Sequence, residues 1–266
     1  LKNVIKCLEK ITHLDPHGDA IASYNLFNNY LYDWSQSEFL KNAEKINEKL
    51  VKYPSEELVD LKTKKNKKIN LGFISSDIKS KHSITYFLRS AITVYDKEKF
   101  AIHLYHNHNK EDETTKEFEK YVFKTLYIEK LSDKEVINNI RKDEIDIIID
   151  LNGFSGNHRL NLFKNRLAPV QILWCGYTNT TGLDEIDYLI VDRNQVNLEE
   201  ESLYSEKIIY LPTIWNCHSG YNFKRSENEM PFQKNKFISF GSFNNFLKIN
   251  DEVIEVWASI LKKVEN

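Results

Sequence analysis

Cysteine is nearly absent. The 266 residues hold three, Cys7, Cys175 and Cys217. None belongs to a C-x-x-C pair and the number is odd, which argues against a disulfide framework or a zinc knuckle and fits a reducing, cytoplasmic compartment. A surplus of either charge is missing as well. The 37 Lys and Arg stand against 39 Asp and Glu, a net of -2, without the basic excess of a general nucleic-acid binder. No apolar run approaches the roughly eighteen residues that a membrane-spanning helix needs. The chain opens on Leu1, with neither an initiator methionine nor a signal peptide, so we expect it to be a piece of a longer protein. It has no Walker A motif, no G-x-G-x-x-G and no G-x-S-x-G.

What is present supports a packed core: 41% hydrophobic and 12% aromatic residues, far from the composition of a disordered chain. The first sixty residues read as helices. Val4, Ile5, Leu8, Ile11 and Leu14 fall on one face, and the helix should end at Leu14-Asp15-Pro16. Apolar periodicity returns over Ala20–Trp34 and again from Ser37 to Tyr53, with Phe39, Leu40, Ala43, Ile46 and Leu50 on one side. Helices this short must stack to bury their faces. A lysine cluster follows, Lys62, Lys64, Lys65, Lys67 and Lys68, and reads as a solvated linker.

From Ile69 the pattern alternates. Strands are expected at Ile69–Ser75, Phe100–Tyr105, Thr125–Ile128, Ile145–Leu151, Val170–Trp174, Tyr188–Val191 and Lys207–Tyr210. Helices are expected at Ser83–Tyr95 and Thr114–Phe123, and after a Ser132/Glu135 capping box. Alternating strands and helices predict an α/β fold with a parallel sheet covered on both faces. After a polar stretch, Tyr221–Asn235, a new unit is expected: a strand at Phe237–Phe240, a loop Gly241–Lys248, and a helix Asp251–Val264 capped by Asn250.

Ligands bind at the carboxyl ends of the strands in such a sheet, which selects the loops Ser75–Ser83, Asn152–His158, Gly176–Gly182 and the region after Leu211. His82, at the mouth of the first strand, could relay a proton or merely cap a helix. Lys248, just before a helix N-terminus, suits a diphosphate held without metal, with Asn244 and Asn245 as further donors; it could equally be a solvated lysine. The loops carrying Asn152 and Gly153, and Gly176, Tyr177, Thr180 and Thr181, offer hydroxyls and backbone amides that fit a sugar, or an ordinary turn. His103, His106 and His108 match no metal-ligand spacing, and no metal site is expected.

These residues together carry a resemblance. Leu71-Gly72-Phe73-Ile74-Ser75-Ser76-Asp77 with His82-Ser83 resembles the opening of the catalytic region in O-linked N-acetylglucosamine transferases and the Spindly-type O-fucosyltransferases, glycosyltransferase family 41. Asp150-Leu151-Asn152-Gly153, Arg166-Leu167-Ala168-Pro169-Val170-Gln171, Trp174-Cys175-Gly176-Tyr177 through Gly182, Asp187-Tyr188, Tyr204-Ser205-Glu206-Lys207, and Phe240-Gly241-Ser242-Phe243-Asn244-Asn245 with Lys248-Ile249 follow in the family's order. Upstream, Cys7–Pro16 resembles a tetratricopeptide (TPR) helix, and Tyr32-Asp33-Trp34 the junction between repeats and enzyme. Asn179-Thr180-Thr181-Gly182 and the Gly241–Asn245 run lean toward the Spindly-like branch. Lys79-Ser80-Lys81 is one residue longer than usual before His82, and Thr178 stands where a proline is common.

The resemblance implies a GT-B enzyme: TPR-like and linking helices over 1–60, a Lys-rich linker at 61–68, a Rossmann-like N-terminal lobe over 69–220, a linker at 221–235, and at 236–266 only the first β-α unit of the donor-binding C-terminal lobe. It implies transfer, with inversion, of a sugar to Ser or Thr of proteins recruited by the TPR-like helices. The donor would be UDP-GlcNAc, or alternatively GDP-fucose, used without a metal or other cofactor. His82 corresponds to the family histidine once proposed as general base, Lys248 to the lysine on the diphosphate, and Asn245 to a neighbouring polar contact. The competing reading is a non-catalytic, TPR-linked protein-binding module. This 266-residue piece is expected to be inactive alone.

Overall fold

The computed structural model describes residues 2–11, 19–30, 34–53, 68–221 and 229–264. Three helices come first, α1 (Lys2–Ile11), α2 (Asp19–Asn28) and α3 (Gln36–Asn47). The expected Leu14-Asp15-Pro16 ending, the Tyr32-Asp33 junction and the lysines at 62, 64, 65 and 67 lie outside the described residues. Both α2 and α3 stop short of the expected ends at Trp34 and Tyr53. Beyond α3 the chain is extended because its backbone is taken up by two distant side chains, one on and one just after the short helix at Leu160–Phe163. Asn161 Oδ1 accepts from Val51 N at 2.7 Å, and Asn165 Oδ1 from Tyr53 N at 2.6 Å.

The sheet and its crossovers follow: β1 (Ile69–Ser75), α4 (Ser83–Ile92), β2 (Phe100–His106), α5 (Glu113–Glu119), β3 (Lys124–Tyr127), α6 (Asp133–Lys142), β4 (Ile147–Asp150), α7 (Leu160–Phe163), β5 (Val170–Trp174), β6 (Tyr188–Val191) and β7 (Lys207–Tyr210). All seven strands pair in parallel, in the order β3-β2-β1-β4-β5-β6-β7. Four strands, β1, β5, β6 and β7, start and end where the sequence places them. The β4 run is shorter than Ile145–Leu151: the chain turns out of α6 at Asp143 and Glu144 and bends at Asp146 before the strand begins at Ile147. The Ser132/Glu135 capping box forms, with Ser132 N donating to Glu135 Oε2 at 2.8 Å.

Side chains alternate across the sheet, so neighbouring residues on one strand enter opposite cores. Ile74, Tyr105, Ile148 and Leu173 join one cluster, whereas Phe73, Leu104, Ile149 and Ile172 join the other. The first cluster also takes in Ala22 of α2 and Ala43 and Ile46 of α3. Helices α2 and α3 therefore pack on the α/β unit, as well as on each other, while α1 packs on α2. Gly182 marks the contact: its φ is +68°, and a Cβ there would sit 2.6 Å from the backbone carbon of Ala43.

The last described stretch holds α8 (Pro231–Asn235), a single 3-10 turn (Phe246–Lys248) and α9 (Asp251–Lys263). Asn250 caps α9, accepting from Val253 N at 3.0 Å. The expected strand at Phe237–Phe240 does not form. A strand is completed by a hydrogen-bonded neighbour, and the described residues supply none: Phe237, Ile238 and Phe240 are exposed, and β7 ends the sheet.

Candidate active site at the carboxyl edge of the sheet

The chain leaves β1 and β4 in opposite directions along the sheet, and adjacent strands that part in this way open a crevice at their carboxyl ends. The loops after these two strands are tied together by one side chain. Asn152, buried, accepts from Ser76 N through Oδ1 at 2.9 Å. Its Nδ2 lies within hydrogen-bond distance of three oxygens, Ser76 Oγ (2.9 Å), Asp77 Oδ2 (3.0 Å) and Ser155 Oγ (2.9 Å), which share its two N–H groups. Ser76 Oγ in turn reaches Gly156 O at 3.0 Å. Beneath this knot lies Asp150, whose carboxylate accepts from Asn152 N (3.1 Å) and Gly153 N (2.8 Å). Burial pushes the Asp150 carboxyl up to about 7, against the pull of those two amides. Asn152 and Gly153 are thus fixed in one turn, with the Asn152 amide fully used.

His82 ends the β1 loop and is the N-cap of α4. Its Nδ1 accepts from Ile84 N at a long 3.4 Å, and its Nε2 lies 3.7 Å from Asp77 Oδ1. Burial holds the imidazole below its ordinary range, the Asp77 carboxylate opposing and the Lys79 ammonium adding to the effect. A neutral ring that accepts at Nδ1 carries its proton on Nε2. In this tautomer the half-exposed edge offers a donor, with Asp77 beside it. The loop is braced from the loop after β2: Asp112 Oδ2 accepts from Ser80 N at 2.6 Å, and His108 Nε2 lies 3.0 Å from Ile78 O.

The third loop is built differently. Gly176 packs against the loop after β4 so closely that a Cβ would lie 1.7 Å from Leu151 O. Thr180 and Thr181 are buried, and both hydroxyls donate to Glu206, at 2.8 Å for Thr180. Their hydroxyls are spent inside the fold, where they anchor the loop to the start of β7. Tyr177 is buried against Phe154, with ring centroids 5.2 Å apart, and its hydroxyl oxygen accepts from Asn29 Nδ2 at 3.3 Å. Asn179 joins the same seam, accepting from Gln36 Nε2 at 2.5 Å and donating to Asn29 Oδ1 at 3.0 Å.

Asn245 and Lys248 sit on the exposed carboxyl-terminal stretch. Asn245 Oδ1 accepts from Leu247 N at 3.0 Å and so caps the 3-10 turn. The Lys248 ammonium lies 5.3 Å from the centre of the Tyr30 ring, at the end of α2. The candidates therefore fall into three groups. Asn152, Gly153 and His82 converge at the β1/β4 crevice; Gly176, Tyr177, Thr180 and Thr181 tie the third loop to its surroundings; Asn245 and Lys248 stand on a separate segment. Sequence reasoning missed Ser76, Asp77, Asp112, Ser155 and Glu206 as structural partners. Ser76, Asp77 and Glu206 lie within the motifs quoted above, whereas Asp112 had no signal beyond its place before a helix. Among the described residues, no group of three or more His, Cys, Asp or Glu side chains could hold a metal ion, and no helix is long and apolar enough to cross a membrane.

Known proteins are similar to this chain in sequence and fold. The model of glycosyl transferase family 41 matches residues 40–225. A probable UDP-N-acetylglucosamine–peptide N-acetylglucosaminyltransferase SPINDLY from Eustoma exaltatum subsp. russellianum is 36% identical over 200 residues, covering 74% of this chain and 21% of its own length. The protein of the same name from Oryza sativa subsp. japonica is 30% identical over 268 residues, covering 98% of this chain and 29% of its own length. A solved structure of a mutant Thermobaculum terrenum O-GlcNAc transferase superposes with a TM-score of 0.87 at 25% identity, over 97% of this chain and 49% of the other. This chain therefore spans about a fifth to a third of those curated relatives and about half of the solved structure.

Proposed function

Because the chain belongs to glycosyl transferase family 41, we propose that it is the amino-terminal part of the catalytic region of a protein O-glycosyltransferase, one that transfers N-acetylglucosamine from UDP-GlcNAc to Ser or Thr of proteins. The observation that carries this reading is the crevice between β1 and β4, where Asn152 ties together two polar loops and His82 presents its imidazole. The relatives' names support the donor and the peptide acceptor.

In the reaction, the acceptor Oγ forms a bond to the anomeric carbon as the bond from that carbon to the diphosphate breaks. The hydroxyl proton passes to a phosphate oxygen of the donor or to water, and the nucleoside diphosphate departs with the bonding pair. Charge then accumulates on the diphosphate, where a fixed cation and helix N-terminal amides stabilise it most. Lys248, three residues before α9, is assigned that role, with Asn245 as a polar neighbour. His82, neutral with its proton on Nε2, is assigned to hold an oxygen of donor or acceptor by donation. Accepting the hydroxyl proton would require the other tautomer, and with it loss of the Ile84 N contact. The helices α1 to α3, of which α3 and the end of α2 lie against the third loop, are assigned to acceptor-protein recruitment.

The test uses a longer version of the protein, extended to the length of its relatives. It is incubated with acceptor protein and UDP-GlcNAc or GDP-fucose, and the acceptor's intact mass is read. A gain of one N-acetylhexosamine is expected. A gain of a deoxyhexose moves the donor to GDP-fucose, and no gain with either donor removes the enzyme reading in favour of a binding module. The 266-residue chain alone is expected to be inactive in the same assay, and transfer by it would contradict the proposed need for further donor-binding residues.

A further inference from the structure

At the opposite, amino-terminal edge of the sheet lies a second cleft, of about 720 Å³, within the range of small-molecule sites. Five lysines line it, Lys68, Lys97, Lys120, Lys124 and Lys142, against two acids, Asp143 and Glu144. Lys124 is held by Asp143 at 2.6 and 2.7 Å, and Asp143 also accepts from Tyr105 Oη at 2.8 Å. Lys97 lies over the Tyr95 and Tyr121 rings, 5.8 and 5.7 Å from their centroids. Lys68, Lys120 and Lys142 are exposed and make no ion pair among the described residues. On a chain of net charge -2, this local positive excess is concentrated in one concavity, where the low-dielectric walls focus the field.

One wall of the cleft contains His103, which is 3% exposed and whose two ring nitrogens make no hydrogen bond among the described residues. Its Nδ1 stands 3.9 Å from Asp143 Oδ2, and the exposed Phe123 ring covers it at 5.3 Å between centroids. Buried polar groups are almost always paired in native proteins. A group left unpaired in the wall of a cleft is a sign that the cleft is used.

We propose that this cleft binds a small polyphosphorylated anion, its linked phosphates held by Lys68, Lys120 and Lys142. Lysine recognises phosphate as a point charge without fixed geometry, and linked phosphates carry several charges within the span of one small site. The cleft's limited volume favours such an anion over a nucleic-acid strand, for which the chain shows no basic surplus. The aromatic rings Tyr95, Tyr121 and Phe123 provide a surface on which an attached base could stack.

The test is calorimetric titration of the 266-residue chain with inorganic triphosphate and, separately, with ATP, at about 0.15 M salt so that diffuse surface attraction is screened. Saturable one-site binding is expected. It should weaken at least about tenfold in the Lys120→Ala/Lys142→Ala double variant, and the His103 ring resonances should move during the titration. Tighter binding of ATP than of triphosphate would assign the rings to a base; equal binding would leave the phosphate chain as the ligand. The proposal is overturned by absence of saturable binding, by equal affinity in the double variant, or by unmoved His103 resonances. It is also overturned if Lys248→Ala removes the binding, because the anion would then occupy the donor site instead.

Discussion

Asn152 and Asp150 show how much of the crevice rests on single side chains. Asn152 spends its acceptor and both of its N–H donors, which are shared among three oxygens, on holding two loops together. Replacement by Ala leaves the buried Ser76 N–H without its acceptor, and is expected to destabilise the chain by on the order of 3 kcal/mol in urea unfolding. Asn152→Asp keeps the acceptor but sets a carboxylate against Asp77, so it should rescue little; full rescue would mean that the donor bonds contribute nothing. Asp150 gives a pH prediction. Its folded pKa, about 7, is raised from the ordinary 3.8. The native state therefore holds the proton more tightly than the unfolded chain, and the stability this group contributes is present below about pH 4 and lost as pH rises to about 7. Asp150→Asn should remove that dependence. The difference in unfolding free energy between wild type and variant should shift in the variant's favour from pH 4.5 to 7.5, and a constant difference would show that Asp150 does not titrate there.

Helices and strands were legible to the degree that their determinants are local. β1, β5, β6 and β7 start and end where apolar runs meet polar loops, and α6 and α9 start at their caps, Ser132 and Asn250. Misreadings arose where distant residues decide. α3 stops at Asn47 because Asn161 and Asn165, more than a hundred positions away, take the following backbone. Phe237–Phe240 reads as a strand but has no neighbour among the described residues. The loop at Gly176–Gly182 was legible as a polar, glycine-bounded turn. That its threonines point inward to Glu206 was not, since the pairing crosses 25 or 26 positions. Gly182 tests the contact between this loop and α3. An added methyl would meet the Ala43 backbone at 2.6 Å, and φ +68° is unfavourable for alanine. Gly182→Ala is expected to cost about 1–3 kcal/mol and to speed amide exchange in Gln36–Asn47, with strands β1 and β4 still protected. Unchanged exchange in α3 would mean that the helix is not held by this loop.

For the whole molecule, the relation between the two sites' supports matters most. The crevice is embedded in a well-buried sheet, whereas Lys248 belongs to a segment whose apolar residues, Phe243, Phe246 and Trp257 among them, are exposed. The contact described between Lys248 and the rest of the chain is with the Tyr30 ring, and such contacts contribute about 0.5–1 kcal/mol at exposed sites. Lys248 could therefore matter in two ways: as the charge that stabilises the departing diphosphate, or as the cation that seats its segment against α2. Two variants of the longer protein separate them. Lys248→Ala removes both the charge and the contact, while Tyr30→Leu removes the contact alone. If the charge acts on the leaving group, Lys248→Ala should lower kcat by on the order of 10²-fold, with Tyr30→Leu close to wild type and both variants unfolding at the wild-type urea midpoint. Equal losses in the two would reassign Lys248 to docking, and wild-type turnover in Lys248→Ala would remove it from the site.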